Sequence, residues 1–394
     1  MGKITKIKKS KCTSRPKIPE KVVIELWSKA GGRCELCNEK LWRDGLTYHQ
    51  INQSNIAHII AQTPKGPRGS EQDSERLATD ISNLMLVCAK HNKLFDTGDI
   101  MKEYSVERLH QLKEKHENRI DIATDITPEQ QTTPLVYTST INNTKMFITD
   151  REIRNAVFPH YYPILDKRIN LNFELTDMED DFWIAEKKNL ENIFNRKIIP
   201  ELENGNIKHL SIFAIAPQPL LIYLGFLLGD KYPTEVYQLQ RNPRKWGWYE
   251  SSMQDLEYII TKPDKITQQP VLTLSLSDNI TEDRIKNSIN GEYSRWDLSI
   301  KDPNREFLTN KNYLYYFSHK FSKLIDEIKN IHGIDTELKI IPVMPLAIAI
   351  ELGRRIDPKY SMPIKIYNNN QNTNKFEPVM NICLPKKLIR GEKR

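Results

Sequence analysis

Residues 212–232 read IFAIAPQPLLIYLGFLLGDKY, and residues 340–360 read IIPVMPLAIAIELGRRIDPKY. The two stretches align without a gap at a constant offset of 128 residues, and most pairs before the shared glycine are apolar in both copies. Each copy is typical of a buried strand, a proline turn, a helix with a Leu-Gly step, and a second strand, TEVYQL or MPIKIY. From residue 216 onward the identical pairs are Pro217/Pro345, Ile222/Ile350, Leu224/Leu352, Gly225/Gly353, Lys231/Lys359 and Tyr232/Tyr360. The repeat therefore predicts two similar α/β half-domains with parallel strands.

The composition excludes several classes of protein. The chain has 394 residues, of which 39% are apolar and 28% charged, as expected for a protein of two or three domains. No run approaches the roughly 18 apolar residues of a membrane span, and no apolar stretch follows the basic N-terminus as in a secretory signal. Five cysteines are too few, and odd in number, for a disulfide scaffold. We therefore expect a cytoplasmic protein without membrane contact.

Changes in composition predict four parts of the chain. Seven cations precede the first acid, so the chain begins with a basic arm that suits either phosphate contacts or a solvated terminus. A helix at 20–30 and a charged amphipathic helix at 104–120 bound the next part, and a stretch rich in Thr, Pro, Gln and Asn follows. The predicted parts are a basic arm at 1–19, a first domain at 20–125, a linker at 126–149 and the repeated domain at 150–394, with halves at about 150–270 and 271–394.

Two short motifs in the first domain have the spacing of metal ligands. Cys34 and Cys37 form a CxxC pair, and Cys88 and His91 form a CxxH pair after 50 intervening residues. Zinc prefers four thiolate and imidazole ligands, and two pairs of this kind can close a tetrahedral site. A redox CxxC pair or unrelated buried thiols are the alternatives. The pattern predicts a structural zinc site without an open coordination position.

The order of motifs around these pairs resembles that of the HNH, or ββα-metal, endonucleases. Over about residues 30–97 the chain reads CxxC, then AHI, GPRG and NLMLVCxxHN. The resemblance implies two short strands and a helix around one divalent cation, and hydrolysis of DNA phosphodiesters. Carried over by motif, His58 is the general base, Asn83 fixes the loop that orients it, and Asn92 is the third HNH position. Assigning His91 to that third position instead would leave the zinc site without its fourth ligand.

The ligands of the catalytic cation depart from the family pattern. Many HNH enzymes have an Asp before the base histidine, and this chain has Ala57 there. The resemblance leaves His58 and Asn92 as ligands of Mg²⁺ or a similar divalent cation. The substitutes for the missing acid are His49, Asp96 and water. Arg68 and Lys65, which follow the base strand, are expected either to hold DNA phosphates or to be solvated loop charges.

The segment from Leu210 to Trp248 carries a second resemblance. It contains APQPLLIYLG followed by VYQLQRNPRKWGW, and it is similar to the SAVED domain, a cyclic-oligonucleotide sensor of bacterial antiphage (CBASS) systems. Members of that family consist of two fused CARF-like Rossmann halves, in agreement with the repeat, so the fold class is α+β joined to α/β. The resemblance implies an HNH endonuclease activated by a cyclic di- or trinucleotide from a partner nucleotidyltransferase. It also implies self-association, as a dimer at rest and a higher oligomer when active on double-stranded DNA.

The residues that bind the ligand are predicted from the chemistry of a cyclic nucleotide. Flat bases and an anionic ring require aromatic and basic side chains. Such residues follow the first repeated strand, near the carboxyl edge where open α/β sheets bind ligands. The predicted ligand residues are Gln218, Arg241, Lys245, Trp246 and Trp248, with Arg244, Tyr161, Tyr162, Arg295 and Trp296 as further candidates; packing in the core is the alternative for the tryptophans.

Two other functions fit parts of the sequence. One is a constitutive HNH nicking or restriction enzyme whose C-terminal half recognises DNA, and the repeat counts against it. The other is a zinc-containing DNA-binding regulator that senses a nucleotide and cuts nothing. A regulator of that kind has no need of His58 beside Asn83 and Asn92.

Overall fold

The computed structural model describes residues 16–94, 96–140, 146–176, 181–249, 256–370 and 373–382. Most of the predicted basic arm, residues 1–15, lies outside the described residues. The chain divides into two compact units, Met1–Thr127 and Pro128–Arg394. Each unit has its own hydrophobic core.

The first unit is a small α+β structure. Its strands pair antiparallel, so that His58 lies opposite Leu84, and the first and last helices pack against each other. The first helix stops where Gly31 adopts a left-handed φ of 60°, as its C-cap. Both helices that the sequence predicts in this unit are present. The elements are α1 (Glu20–Ala30), β1 (Ser54–His58), β2 (Leu84–Cys88), α2 (Ala89–Leu94) and α3 (Val106–Thr124).

The first half of the second unit is built on a parallel sheet. Its elements are β3 (Gln131–Thr140), α4 (Asp150–Val157), β4 (Tyr162–Pro163), β5 (Ile169–Thr176), α5 (Phe182–Ile193), α6 (Ile199–Glu203), β6 (Leu210–Ile215), α7 (Gln218–Leu228), β7 (Thr234–Val236), β8 (Leu239–Arg241) and β9 (Arg244–Trp246). The sheet has the order β4-β3-β6-β7, and β5 also pairs with β3. β8 and β9 form a separate antiparallel hairpin.

The second half contains a six-stranded sheet with the order β10-β12-β11-β13-β14-β15. Its central pairs are parallel and its two edge pairs are antiparallel. The elements are β10 (Tyr258–Thr261), β11 (Pro270–Ser275), α8 (Glu282–Lys286), β12 (Ser294–Ile300), α9 (Lys311–His332), β13 (Leu338–Val343), α10 (Leu346–Arg354), β14 (Ile364–Asn370) and β15 (Lys375–Ile382).

The sequence repeat corresponds to one strand–helix–strand unit in each half. β6 and α7 begin 128 residues before β13 and α10, and each first strand pairs parallel with the strand that follows its helix, which confirms the predicted half-domains. The two helices cross at their shared glycines. A Cβ on Gly225 would lie 1.9 Å from the carbonyl oxygen of Ile350, and a Cβ on Gly353 would lie 1.9 Å from that of Ile222. This reciprocal contact explains why both copies keep the Leu-Gly step.

The predicted linker at 126–149 is wrong in its central part. Residues 131–140 form β3, which pairs with both β5 and β6 inside the first sheet. Its sequence, QTTPLVYTST, is polar by composition, but threonine is β-branched and favours strands. Leu135 and Tyr137 are fully buried in the core of the unit. Residues 141–145 lie outside the described residues.

A carboxyl group is buried beneath this strand. Glu186 of α5 has no exposed surface, and its Oε2 accepts a hydrogen bond of 3.1 Å from the hydroxyl of Tyr137. Its Oε1 has no hydrogen-bond partner among the described residues. Burial raises the pKa of Glu186 to about 7, because the apolar surroundings disfavour the charged form. The folded unit therefore binds a proton that the unfolded chain releases near pH 4.5.

We expect Glu186→Gln to stabilise the second unit at pH 8 and to change little at pH 5. Because the folded state holds the extra proton, the free energy of unfolding falls as pH rises from about 4.5 to about 7 and then levels off. Over that interval the wild type loses about 2–3 kcal/mol, which the neutral amide does not lose. Thermal melts of both proteins at pH 5 and pH 8 measure the difference. Equal pH dependence in the two proteins would contradict this account.

Candidate functional site

His58 lies at the end of β1, where a neighbouring carbonyl orients its imidazole. The Nε2 atom is 2.9 Å from the carbonyl oxygen of Ala78. Because a carbonyl oxygen only accepts, Nε2 carries the proton of the neutral ring. The lone pair of Nδ1 is then left to accept a proton, as a general base requires.

Asn83 holds together the two segments that surround His58. The side chain is buried; its Oδ1 accepts from the amide of Ile60 at 2.8 Å, and its Nδ2 donates to the carbonyl oxygens of Ile60 at 2.9 Å and Leu77 at 3.2 Å. Leu77 precedes the residue whose carbonyl orients the imidazole. The amide therefore connects the end of β1 to the loop that positions the base.

Arg68 has a structural position in the loop after β1. Its Nε donates to the carbonyl oxygen of Ile59 at 2.7 Å, and its guanidinium forms an ion pair of 2.6 Å with Asp96. Only 7% of the side chain is exposed. The expectation that Arg68 holds a DNA phosphate is therefore wrong, because its hydrogen bonds are directed into the protein. The same ion pair occupies Asp96, which the sequence offered as a substitute cation ligand. Lys65 is exposed.

The structure adds no carboxylate to the predicted ligands of a catalytic cation. Ala57, at the position where many HNH enzymes have an acid, is buried opposite Met85. Asn92 lies on α2, which packs against β1, and His49 lies on an exposed loop. Within the described ranges, the one group of three or more Cys, His, Asp and Glu side chains close enough to share an ion lies elsewhere. We therefore derive no chemical step through such a cation.

That group consists of the four residues predicted to bind zinc. The ligand atoms of Cys34, Cys37, Cys88 and His91 all lie within 4.8 Å of one another. The Nδ1 of His91 is 3.1 Å from the Sγ of Cys88 and 3.7 Å from that of Cys34. In a tetrahedral zinc site the ligand atoms lie roughly 3.5–3.8 Å apart, so the cluster fits the ion. Burial, with the nearby charge of Lys90, lowers the pKa of His91 and keeps its imidazole neutral.

The two cysteine motifs are held in register by Glu35. Its amide donates to the carbonyl oxygen of Leu86 at 3.0 Å, and its Oε2 accepts from the amide of the same residue at 3.1 Å. Its Oε1 lies 3.6 Å from the ammonium of Lys113 on α3, and both side chains are almost fully buried. Because Leu86 lies two residues before Cys88, these bonds bring the CxxC turn to the end of β2.

We expect the purified chain to hold one zinc ion, and Cys88→Ser to lower the zinc content at least tenfold. Loss of the ion leaves the first unit without the bond between its CxxC turn and α2, so residues 20–125 become sensitive to protease. Metal analysis and limited proteolysis measure the two effects. His110→Ala, which removes a histidine of the same unit outside the cluster, is the control. Full protection of the metal-free protein would contradict a structural zinc.

The second unit contains a cleft of about 1100 Å³ at the carboxyl ends of β6 and β13. Both halves contribute the end of the repeated strand, its proline turn and the start of the repeated helix. The β8–β9 and β14–β15 hairpins line the sides. The polar lining residues are Gln218, Gln238, Gln240, Arg241, Asn242, Arg244, Ser277, Asp278, Arg284, Arg305, Glu306, Asn368, Asn369, Asn370 and Glu377.

The cleft favours an anion with hydrogen-bonding edges. The N-termini of α7 and α10 both begin at the cleft, and a helix N-terminus carries partial positive charge. Arg241 and Arg305 are exposed and form no ion pair with a described residue. Gln218 donates to the carbonyl oxygen of Met344 at 2.8 Å, across the two halves. Gln238 accepts from the amide of Ala347 at 3.1 Å and so caps α10.

Comparison with known families identifies this region. Residues 190–382 match the model of the family described as "SMODS-associated and fused to various effectors sensor domain", or SAVED. This part of the chain is a SAVED domain. The SAVED resemblance drawn from the sequence is thereby confirmed for these residues. No curated protein matches the sequence.

Several solved structures are similar to the chain. The Acinetobacter baumannii Cap4 SAVED/CARF-domain containing receptor with the cyclic trinucleotide 2'3'3'-cAAA is 12% identical, with a TM-score of 0.42, and the match covers 72% of this chain and 56% of that chain. The same receptor with 3'3'3'-cAAA is 13% identical, with a TM-score of 0.42 and coverages of 74% and 67%. The Moraxella osloensis Cap4 receptor is 12% identical, with a TM-score of 0.39 and coverages of 70% and 60%. This chain thus spans little more than half the length of the first of these chains.

The structure separates the predicted ligand residues of the SAVED domain into two groups. Gln218 and Arg241 line the cleft, as does Arg244, which lies 3.9 Å from Glu152. Lys245 does not line the cleft. Successive side chains of a strand such as β9 point to opposite faces, and the Lys245 ammonium lies 4.0 Å from the ring centre of Tyr249.

The predicted tryptophans lie outside the cleft lining. Trp246 is buried edge-on against Phe213 at 5.4 Å, and Trp248 is partly buried where it packs against the main core. The further candidates Tyr161, Tyr162, Arg295 and Trp296 also lie outside the cleft lining. Trp296 is buried, and Arg295 forms ion pairs with Glu282 and Asp297.

Sequence reasoning missed most of the polar cleft lining. Gln238 and Gln240 follow the second strand of the first repeat, and the run Asn368 to Asn370 ends the equivalent strand of the second. Applying the carboxyl-edge rule to both strands of both copies would have found these positions. Ser277 and Arg305 lie on loops that no sequence signal marked. In the described part of the chain no helix is long and apolar enough to span a membrane.

Proposed function

We propose that this chain is an effector endonuclease of a bacterial antiphage (CBASS) system. A cyclic di- or trinucleotide binds the cleft of the SAVED domain, and the first unit then hydrolyses double-stranded DNA. The observation that carries the proposal is the cleft, because it joins both repeated halves at their carboxyl edges in a domain whose family consists of sensors fused to effectors.

The chemistry of the cleft supports a cyclic oligonucleotide. Two helix N-termini and unpaired arginines favour the phosphates of an anionic ring. Three glutamines and four asparagines supply donors and acceptors for the edges of bases. A volume of about 1100 Å³ is at the upper end of small-molecule sites and suits a ligand larger than a mononucleotide.

The geometry around His58 supports phosphodiester hydrolysis in the first unit. In the proposed reaction the Nδ1 of the oriented imidazole takes a proton from the water that attacks the phosphorus. The bond from phosphorus to the leaving sugar oxygen breaks, and that oxygen takes a proton from solvent. Asn83 keeps the base in place through the loop it binds. Zinc at Cys34, Cys37, Cys88 and His91 would hold β2 and α2 together and would leave no position for substrate.

Ligand binding would activate the enzyme by shifting an equilibrium between assembled and resting forms. A ligand that binds the assembled state more tightly increases the population of that state. The cyclic nucleotide comes from a partner nucleotidyltransferase, and the change is from a dimer at rest to a higher oligomer. Because both halves of the repeat line the cleft, a ligand bound there contacts both of them.

We expect Arg241→Ala to weaken binding of the activating cyclic oligonucleotide by about 10- to 100-fold, because a charge-assisted bond to phosphate is lost. Calorimetry with a panel of cyclic di- and trinucleotides measures the affinity. Lys245→Ala is the matched control, since it removes a cation of the same hairpin that lies outside the cleft lining. Equal affinities of the two variants would contradict the site, and a folded wild type that binds no member of the panel would contradict the sensor.

A further inference from the structure

The first unit carries an exposed hairpin that neither the zinc cluster nor His58 uses. Residues 41–44 pair with residues 49–53 through three backbone hydrogen bonds, and we call residues 40–51 the 40–51 hairpin. Leu41 anchors it, because this side chain is fully buried in the core of the unit. The rest of the hairpin projects from that anchor into solvent.

The 40–51 hairpin exposes large apolar side chains at its end. Leu46 is 85% exposed and Tyr48 is 65% exposed, and Trp42 and Ile51 are each exposed by 43%. Burial of apolar surface is the main force of folding, so four such residues within ten positions indicate a surface that contacts a partner.

The charges of the hairpin show which kind of partner fits this surface. The ammonium of Lys40 lies 5.6 Å from the ring centre of Trp42, and the guanidinium of Arg43 lies 4.4 Å from that of Tyr48. Each of these cations therefore lies over an aromatic ring of the hairpin. The carboxylate of Asp44 is hydrogen-bonded within the turn: its Oδ1 accepts from the amides of residues 46 and 47 and from the hydroxyl of Thr47, and these bonds lower the pKa of its carboxyl. The outward surface combines cations with aromatic and aliphatic groups.

The backbone supports a role for Tyr48 other than packing. Its φ is 61°, a left-handed conformation that favours glycine or asparagine at the end of a hairpin turn. A bulky aromatic residue at this position strains the backbone while its ring remains exposed. Strain of this kind is typical of residues kept for function.

We propose that the 40–51 hairpin is a DNA wedge, with Lys40 and Arg43 on the phosphates of double-stranded DNA and Leu46 and Tyr48 against a base step. The choice of DNA rests on the proposed function. Architectural proteins insert leucine and other apolar side chains between base steps, and cations beside the wedge bind the adjacent backbone. The hairpin presents both groups on one protrusion, and its acid, Asp44, is hydrogen-bonded within the turn. The wedge gives the nuclease affinity without base-specific hydrogen bonds.

The test is binding of the full chain to a fluorescent DNA duplex, measured by anisotropy without added Mg²⁺. Leu46→Ala and Tyr48→Ala are each expected to weaken binding about tenfold, and Tyr48→Phe to preserve it, because the ring is the contacting group. Arg43→Ala is expected to reduce the slope of log affinity against log salt by about one. Tyr315→Ala is the matched control: Tyr315 is 69% exposed on α9 of the other unit. Zinc content shows that each variant is folded.

Affinities of Leu46→Ala and Tyr48→Ala within twofold of wild type would overturn the DNA wedge. If these variants lose self-association while their DNA affinity is unchanged, the surface contacts a second copy of the chain. That result would also overturn the DNA wedge. The result is independent of the endonuclease proposal. A wild type that cuts DNA while the variants bind normally refutes the wedge alone, and variants that lose binding in a protein that never cuts refute the nuclease alone.

Discussion

His58→Ala is expected to slow DNA cleavage by about a thousandfold in the presence of the activating ligand. The imidazole is the base of the proposed reaction, with Nε2 bonded to the carbonyl of Ala78 and Nδ1 left to accept a proton. A positioned general base contributes about 10²–10⁴-fold, and alanine offers no substitute. DNA binding should remain within a fewfold of wild type, because the proposed role of His58 lies in the chemical step and not in holding phosphate.

His110→Ala is the control for this prediction, since it removes a histidine of α3 outside the proposed site. Equal zinc content in both variants shows that the unit is folded. Cleavage by His58→Ala at more than a tenth of the wild-type rate would remove His58 from the role of base. The search for the base would then move to other groups near β1.

Gly225→Ala is expected to destabilise the SAVED domain by about 3 kcal/mol or more. Alanine in a helix ordinarily stabilises by about 0.5–1 kcal/mol over glycine, so the expected sign is the reverse of the usual one. The new Cβ would lie 1.9 Å from the carbonyl oxygen of Ile350, a backbone atom that cannot move without separating α7 from α10. Gly353→Ala is expected to have the same effect, because its Cβ would meet Ile222 in the same way.

Thermal unfolding of the full chain measures this loss. The transition of the second unit should move down by about 6–12 °C in either glycine variant. Gly45→Ala is the control, since a Cβ at that position meets nothing within 4 Å. An unchanged or higher transition in Gly225→Ala would contradict the close crossing of the two helices.

The repeat made the second unit predictable because the residues that determine it are local. β6, α7 and their copies have the apolar periods and the proline turn of a strand–helix unit, and the shared glycines mark the crossing. β3 was not predictable in the same way. Its threonines give a polar composition, and its burial comes from strands that lie 30–80 residues further along the chain. The composition of β3 gives no information about which strands it pairs with.

The candidate sites also differ in how far local sequence determines them. The four residues predicted to bind zinc come as two pairs with fixed i,i+3 spacing, so the sequence was enough to group them. The sequence predicts that Asn83 fixes the loop that orients His58. Only the structure identifies Ile60 and Leu77 as the partners of its side chain. The ligand cleft takes its lining from many separate segments, and burial decides which aromatic residues reach it. That is why the sequence assigned Trp246 and Trp248 to the ligand, whereas Trp246 is buried in the core and Trp248 packs partly buried against it.

Cleavage of linear double-stranded DNA with Mg²⁺, with and without a panel of cyclic di- and trinucleotides, tests the central claim most directly. The account predicts that the zinc-loaded wild type cuts DNA only with a ligand that binds the SAVED cleft, and that His58→Ala does not cut with any ligand. Equal cleavage without ligand would indicate a constitutive nuclease and contradict the sensor. A folded, zinc-loaded protein that cuts with no ligand, while binding both DNA and a cyclic nucleotide, would contradict the nuclease and indicate a DNA-binding regulator.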